Sequence, residues 1–349
     1  MPHTKASLRS TAVTTALCQR TVAWTASLLI GLALIVAIII ASVQPAHANP
    51  GRWQAEGWAT DFSQTTIDFD EIMDGGPRRD GIPPIDDPTF VPVSEADHLS
   101  ALEPVMSFTH NGETRAYPLR VMTFHEIVND VVGGHPVAVT YCPLCNAAIV
   151  FDRDMDGEIL DFGTTGKLRN SDLVMYDRQT DSWWQQFSGE SITGSYAGSE
   201  LTMLPSQLIS FERFAAAHPD AVVLEDPGRF RRPYGLNPYR GYDTSAAPFL
   251  FRGEFPEGIA PLQRVVLVRD GDGMFAVAVA KLIDDGTFAQ DGVEVVFEPG
   301  QASALDTEVI ASGRDVGNIS VMRDGEAVVH DVTFAFVVHA FEPDLEIIQ

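Results

Sequence analysis

From Glu103 onward the chain alternates apolar and polar positions in short runs broken by turn residues, a period-two pattern that predicts half-buried β-strands. Val105-Met106-Ser107-Phe108, the pair Asn111-Gly112 and Thr114 to Leu119 predict a hairpin, because Asn-Gly accepts the positive φ angles that a two-residue turn requires. The period then changes. Val121, Phe124, Val128 and Val132 fall on one helical stripe that Gly133-Gly134 stops, so a helix is expected over Val121–Val132. Val137 to Tyr141 and Ala147 to Phe151 return to a strand-like composition on either side of Cys142-Pro143-Leu144-Cys145-Asn146, with a turn at Asp156-Gly157. A second short helix is expected over Pro205–Ala217.

The pattern recurs. Val105-Met106-Ser107-Phe108 through Leu119 matches Val265-Val266-Leu267-Val268 through Val279 at a shift of 160, and Val137-Ala138-Val139 before Pro143 matches Val293-Glu294-Val295 before Pro299 at a shift of 156. Near the ends, His218-Pro219-Asp220 resembles Glu342-Pro343-Asp344 at a shift of 124, which places extra residues of the first copy between Val150 and His218. The expected fold is therefore α+β and rich in antiparallel strands, built as two related halves with short helices. Residues 103–226 are the first copy, 263–349 a shortened second copy, and 227–262 a linker carrying the aromatic-polar cluster Arg232, Tyr234, Asn237, Tyr239 and Tyr242. Residues 49–102, rich in Gly, Pro and Asp, read as an extended arm. The second copy has Glu298 and Gln301 at the turn where the first has Cys142 and Cys145, and Asp285 opposite His125. The turn evidently needs no thiols, so chemistry should concentrate in the first copy.

The first twenty residues carry Lys5, Arg9 and Arg20 and no acid, an apolar run follows from Leu28 to Ala41, and Ala46-His47-Ala48 supplies small residues for cleavage before Asn49. Residues 1–48 are expected to be a signal segment or, through residues 21–43, a membrane anchor, so the protein should work outside the cytoplasm, in the periplasm or at the cell surface. With 48 acidic against 23 basic residues the formal charge is −25, which argues against a nucleic-acid partner. Cys18 precedes the cleavage point, so the mature chain keeps only Cys142 and Cys145 and cannot be a multi-disulfide scaffold.

Two cysteines three positions apart between strands have the form of a metal-binding knuckle, with Pro143 fixing φ at the first turn position and Asn146 tolerating the left-handed conformation after the second thiol. They can also form a disulfide or a redox pair, or remain unpaired. A tetrahedral ion needs further ligands, and His125, on the apolar stripe of the expected helix, is the candidate third one. Such a Cys/His site would take copper or zinc. His110 and His135 lie at turns and are weaker candidates. His125-Glu126-Ile127-Val128-Asn129 begins like a zinc-protease helix but has Asn129 at the second ligand position, and Gly163-Thr164-Thr165-Gly166-Lys167 lacks the glycine spacing of a phosphate loop. A pocket is expected from Glu126, Asn170, Asp172, Tyr176, Asp177, Arg178, Trp183, Trp184 and Gln185, because interleaved polar and aromatic side chains of this density line sites.

TYCPLCNAAIVFDR (Thr140 to Arg153), GKLRNSDLVMYDRQTDSWWQQFSGESITG (Gly166 to Gly194) and GETRAYPL (Gly112 to Leu119) resemble the bacterial and archaeal domain-of-unknown-function family numbered 3179, closely over Asp80 to Asp226 and more loosely in the second copy. The resemblance implies the importance of the CPxC turn, the His125-Glu126 pair and the runs at Asn170 and Tyr176, and it implies no activity. The expected function is an extracytoplasmic protein with a Cys/His metal site, copper or zinc, beside an aromatic-polar pocket. The alternatives are a thiol-disulfide oxidoreductase using Cys142 and Cys145, or a small-molecule-binding module braced by a disulfide.

Overall fold

A computed structural model describes residues 50–271 and 273–349; the expected signal segment, with Cys18 and the span 21–43, lies outside them. Among the described residues no helix is long and apolar enough to cross a membrane. The fold is mostly β, with 39% strand and 15% helix in a propeller-like arrangement of five small antiparallel sheets. This corrects the expected α+β fold of two halves. The helices are single short connectors, and the sheets pack face to face around shared cores.

Sheet 1 has the order Gln207–Ser210, Pro104–His110, Glu113–Pro118, Val222–Leu224, Phe90–Pro92. Its Asn111-Gly112 turn has φ of 48° and 78°, as the sequence required. Sheet 2 runs Met203–Leu204, Ala147–Asp152, His135–Cys142, Ile127–Val132. Sheet 4 (His330–Phe334, Arg264–Asp270, Gly273–Ala278, Ile347–Ile348) repeats the order and the closing parallel pair of sheet 1. Sheet 5 (Thr287–Gln290, Val293–Glu298, Asn318–Arg323, Glu326–Ala327) repeats that of sheet 2. The likeness along the chain is thus one of successive sheets.

The helix expected over Val121–Val132 ends early. Leu119–His125 is helical, Glu126 takes a left-handed φ of 60°, and Ile127–Val132 is a strand joined to His135–Cys142 by Gly133-Gly134, both at positive φ. The β-branched Ile127, Val128, Val131 and Val132 suit a strand, and two glycines between strands make a hairpin turn as readily as a helix stop. Similarly, Gln207–Ser210 is a strand and only Phe211–Ala217 of the second expected helix is helical.

Sheet 3 has the order Ile72–Asp74, Phe162–Arg169, Asp172–Asp177, Trp183–Gln185, Ser191–Thr193, and all but the first of these strands lie between sheet 2's strands Ala147–Asp152 and Met203–Leu204. In sheet 5 the same connection is the two-residue turn Asp324-Gly325. Sheet 3 is therefore an insertion, and residues from the arm secure it. Strand Ile72–Asp74 pairs with its edge, Trp53 packs on Trp183 with centroids 4.8 Å apart, and the Arg79 guanidinium lies over the Trp58 and Tyr176 rings at 4.5 and 4.1 Å. Sheets 2, 3 and 4 meet in one core that contains Cys142, Cys145, Phe162, Trp184, Phe187, Val265 and Phe334.

Candidate metal centre

Strand His135–Cys142 and strand Ala147–Asp152 pair up to the register Cys142 opposite Ala147, so the four residues between them must reverse the chain in a tight turn. Cys145 N–H donates to the Cys142 carbonyl at 3.2 Å, and Asn146 takes φ 52°, the left-handed angle its short amide tolerates. Sheet 4 holds the turn from behind. Thr333 Oγ1 donates to the Cys145 carbonyl at 2.8 Å, Asn146 Nδ2 to the Val332 carbonyl at 2.5 Å, and Ala148 N–H to Asp331 Oδ1 at 3.0 Å. From the front, Tyr242 Oη donates to the Leu144 carbonyl at 2.9 Å.

The third member comes from sheet 3. Its strands Phe162–Arg169 and Asp172–Asp177 are joined by Asn170-Ser171, both at positive φ (52° and 69°), and this reversal sets Asp172 against the thiols. Ligand atoms of Cys142, Cys145 and Asp172 all lie within 4.8 Å of one another, and all three residues are buried. Asp172 Oδ2 accepts from Gln185 Nε2 at 2.6 Å and from Phe187 N–H at 2.9 Å, its buried Oδ1 has no nitrogen or hydroxyl donor, and the two thiols are the carboxyl's remaining partners. Both thiols are free, so neither the disulfide nor the disulfide-braced module expected as alternatives is present here.

The electrostatics are one-sided. Burial pushes the Cys142 thiol up and the Cys145 thiol well up, and it raises Asp172 to about 6. Glu126 is raised to about 8, by burial first and then by Asp172. The basic residues of sheet 3 are engaged elsewhere, Lys167 with Glu56 at 3.1 Å and Arg169 with Glu71 at 2.6 Å. Four acidic groups thus converge on one buried place; the buried Arg269 acts on Asp172 from a distance, and among the described residues no lysine or arginine forms an ion pair with Asp172 or Glu126. A cleft of about 110 Å³ leads to this place, with Cys142, Glu126, Leu144, Leu173, Tyr239 and Leu250 among its lining residues.

His125 is not in the group. The sequence turned it correctly toward the interior, where it is fully buried, but its Nδ1 is 2.7 Å from the Pro83 carbonyl and its Nε2 is 2.7 Å from Tyr234 Oη. A carbonyl only accepts, so Nδ1 carries the proton and the Nε2 lone pair accepts from Tyr234. Burial lowers its pKa to about 4, which keeps the ring neutral and both nitrogens occupied. Asp172, expected only as a pocket residue, takes the place assigned to it. His110 and His135 stack on each other at 4.4 Å, His135 beside Asp152.

Of the expected pocket, Glu126 lines the cleft, while Asp172 and Gln185 sit behind it. The others build the sheet. Tyr176 Oη donates to Asp80 at 2.6 Å, Arg178 pairs with Asp86 at 2.9 Å, Asp177 accepts from Trp184 Nε1 at 2.8 Å, Trp183 packs under the arm, and Asn170 makes the turn. Cleft residues the sequence did not single out include Ile82, Leu168, Leu173, Phe249 and Leu250, which are apolar and scattered, while Lys167 was noted only in a rejected phosphate loop. Tyr239 belonged to the aromatic-polar cluster of 227–262, which covers the site and is no mere linker.

Residues 79–345 match the family model described as a protein of unknown function, DUF3179. No curated protein and no solved structure matches the chain.

Proposed function

The chain belongs to the DUF3179 family, and from its site we propose that it is a metal-binding protein whose ion is held by Cys142, Cys145 and Asp172. One observation carries the reading: two thiols, both held protonated by burial, and a carboxyl raised to about 6 meet in one buried place, and among the described residues no lysine or arginine forms an ion pair with that carboxyl. A divalent ion reverses that logic, since it stabilises both thiolates and the carboxylate where water cannot. Two sulfurs and one oxygen favour zinc over copper(I), which prefers sulfur alone. Cys142 also lines the cleft, so a bound ion would lie within reach of a molecule entering from outside.

Thiol-disulfide exchange is the weaker reading. The attacking species is a thiolate, and here burial raises both thiols instead of lowering one. The test is stoichiometry. Protein purified without chelator and dialysed against zinc should hold one ion per chain, Cys142→Ser, Cys145→Ser and Asp172→Asn should each lose it, and His125→Gln should keep it. A folded wild-type protein that takes up neither zinc nor cobalt at pH 8 rules the reading out.

The site is proposed to work outside the cytoplasm, on the strength of the basic, apolar and Ala-His-Ala succession in residues 1–48. The intact mass of the exported protein should correspond to a chain starting at Asn49; a membrane-retained chain carrying Met1 would establish the anchor instead.

A further inference from the structure

Glu126 stands at a helix end that does not suit it. The helix Leu119–His125 closes with the Glu126 N–H bonded to the Met122 carbonyl at 2.7 Å and Glu126 at φ 60°. The equivalent helix beside sheet 4, Val279–Asp285, closes in the same way, Gly286 N–H to the Leu282 carbonyl at 2.8 Å, but with glycine at φ 81°. Glycine is the residue this position favours, because a Cβ is strained there. The first helix carries instead an acidic side chain that is 6% exposed. Its carboxyl has no hydrogen-bond partner among the described residues, and it lines the cleft. Across the same cleft stands the Tyr239 phenol, which burial keeps protonated and which also has no side-chain hydrogen bond.

We propose that this cleft binds a small molecule with an apolar body and a hydroxyl head, the head donating to Glu126 and accepting from Tyr239. The walls fit the body: Ile82, Leu144, Leu168, Leu173 and Leu250 are apolar, and Phe249 at the mouth is 60% exposed. A volume of about 110 Å³ is below the roughly 150 Å³ of an apolar cavity that holds benzene, so it suits a short chain or a ring that projects partly from the open cleft. An unpaired acceptor and an unpaired donor in an apolar cleft discriminate strongly for a ligand that satisfies both, because a ligand lacking the head leaves them buried and unmatched. The inference goes beyond the metal reading and does not depend on it.

The test uses metal-free protein and three ligands of one shape, benzylamine, benzyl alcohol and toluene, with binding followed by NMR shifts of cleft residues. The wild type should bind the alcohol at least tenfold more tightly than toluene, and more tightly than benzylamine, whose ammonium cannot accept from Tyr239. Glu126→Gln should keep most of the preference for the alcohol, since its carbonyl still accepts. Glu126→Gly should lose the preference for the head altogether while melting at a higher temperature than the wild type, a combination that a merely structural glutamate does not produce. Equal binding of toluene and benzyl alcohol, wild-type affinity in Glu126→Gly, or no binding of any of the three at millimolar concentration overturns the proposal. Zinc content of Glu126→Gly is measured alongside. Retention leaves Glu126 with the cleft ligand, whereas loss makes it a metal ligand and overturns this inference without touching the first.

Discussion

A carboxyl buried without a counter-charge holds its proton to a higher pH than it does in the unfolded chain, and stability then depends on pH. Glu126, raised from 4.5 to about 8, is such a group. Between those values the folded state binds the proton and the unfolded state does not, so its contribution is complete below 4.5 and lost as pH rises through about 8. Urea unfolding of the metal-free protein at pH 5 and pH 8 should show the wild type losing more stability than Glu126→Gln over that window; parallel losses would show that Glu126 ionises freely. The thiols give the opposite dependence for zinc uptake, which releases their protons and should tighten as pH rises from 6 to 8. At this scale the sequence displayed the thiols through their spacing. It misassigned His125 because a helical stripe reports burial and says nothing of a lone pair already engaged by Tyr234. Asp172 was hidden among many polar residues, and only the Asn-Ser pair before it, fit for a two-residue turn, marked it as different.

Short elements explain where periodicity misled. Four apolar residues at helical spacing spanned a helix and a strand, because Val128 and Val132 are two strand pitches apart as well as one helical turn. The strands around Cys142 and the hairpin at Asn111-Gly112 were legible because their turn residues specify the angle and not merely a break. Another element depends on a single glycine. Gly166, at φ 72° in the irregular stretch of strand Phe162–Arg169, leaves no room for a side chain, since a Cβ there would stand 1.8 Å from the Pro77 carbonyl oxygen. Its own carbonyl accepts from Gly75 N–H at 2.9 Å, which ties the arm to sheet 3. Gly166→Ala should therefore destabilise the protein by about 2–4 kcal/mol, the range of overpacking combined with backbone strain. Limited proteolysis should find its first new cut between residues 50 and 82; a variant of wild-type stability and cleavage pattern contradicts this account of the arm.

Across the molecule, the shifts of 160 and 156 traced strands that do correspond in order, but the way five sheets close around common cores is not written in any one run of residues. What the sequence did convey was that extra residues sit between Val150 and His218, and these are sheet 3, which delivers Asp172. In sheet 5 the connection corresponding to the thiol turn is the long segment 299–317 and not a tight turn, which corrects the expectation drawn from Glu298 and Gln301. The Cys142→Ser, Cys145→Ser double variant should still fold, because the turn is held by Thr333, Asn146 and Asp331, with a stability loss below the roughly 2–4 kcal/mol of a lost disulfide, none being present in this state. Far-ultraviolet dichroism and a cooperative melt check it, and an unfolded double variant refutes it. The bonds that hold the thiol turn from behind reach very far along the chain, 186 positions from Asn146 to Val332 and 188 from Thr333 to Cys145. A polypeptide emerges from its N-terminus, so both thiols are made and exposed while the strand that will fix them has yet to appear. A chain cut before Asp331 should be alkylated at Cys142 and Cys145 far faster than the full-length protein. During that interval an oxidant and a metal ion compete for the same pair of sulfurs, and the compartment's chemistry in those seconds decides which of them the finished fold encloses.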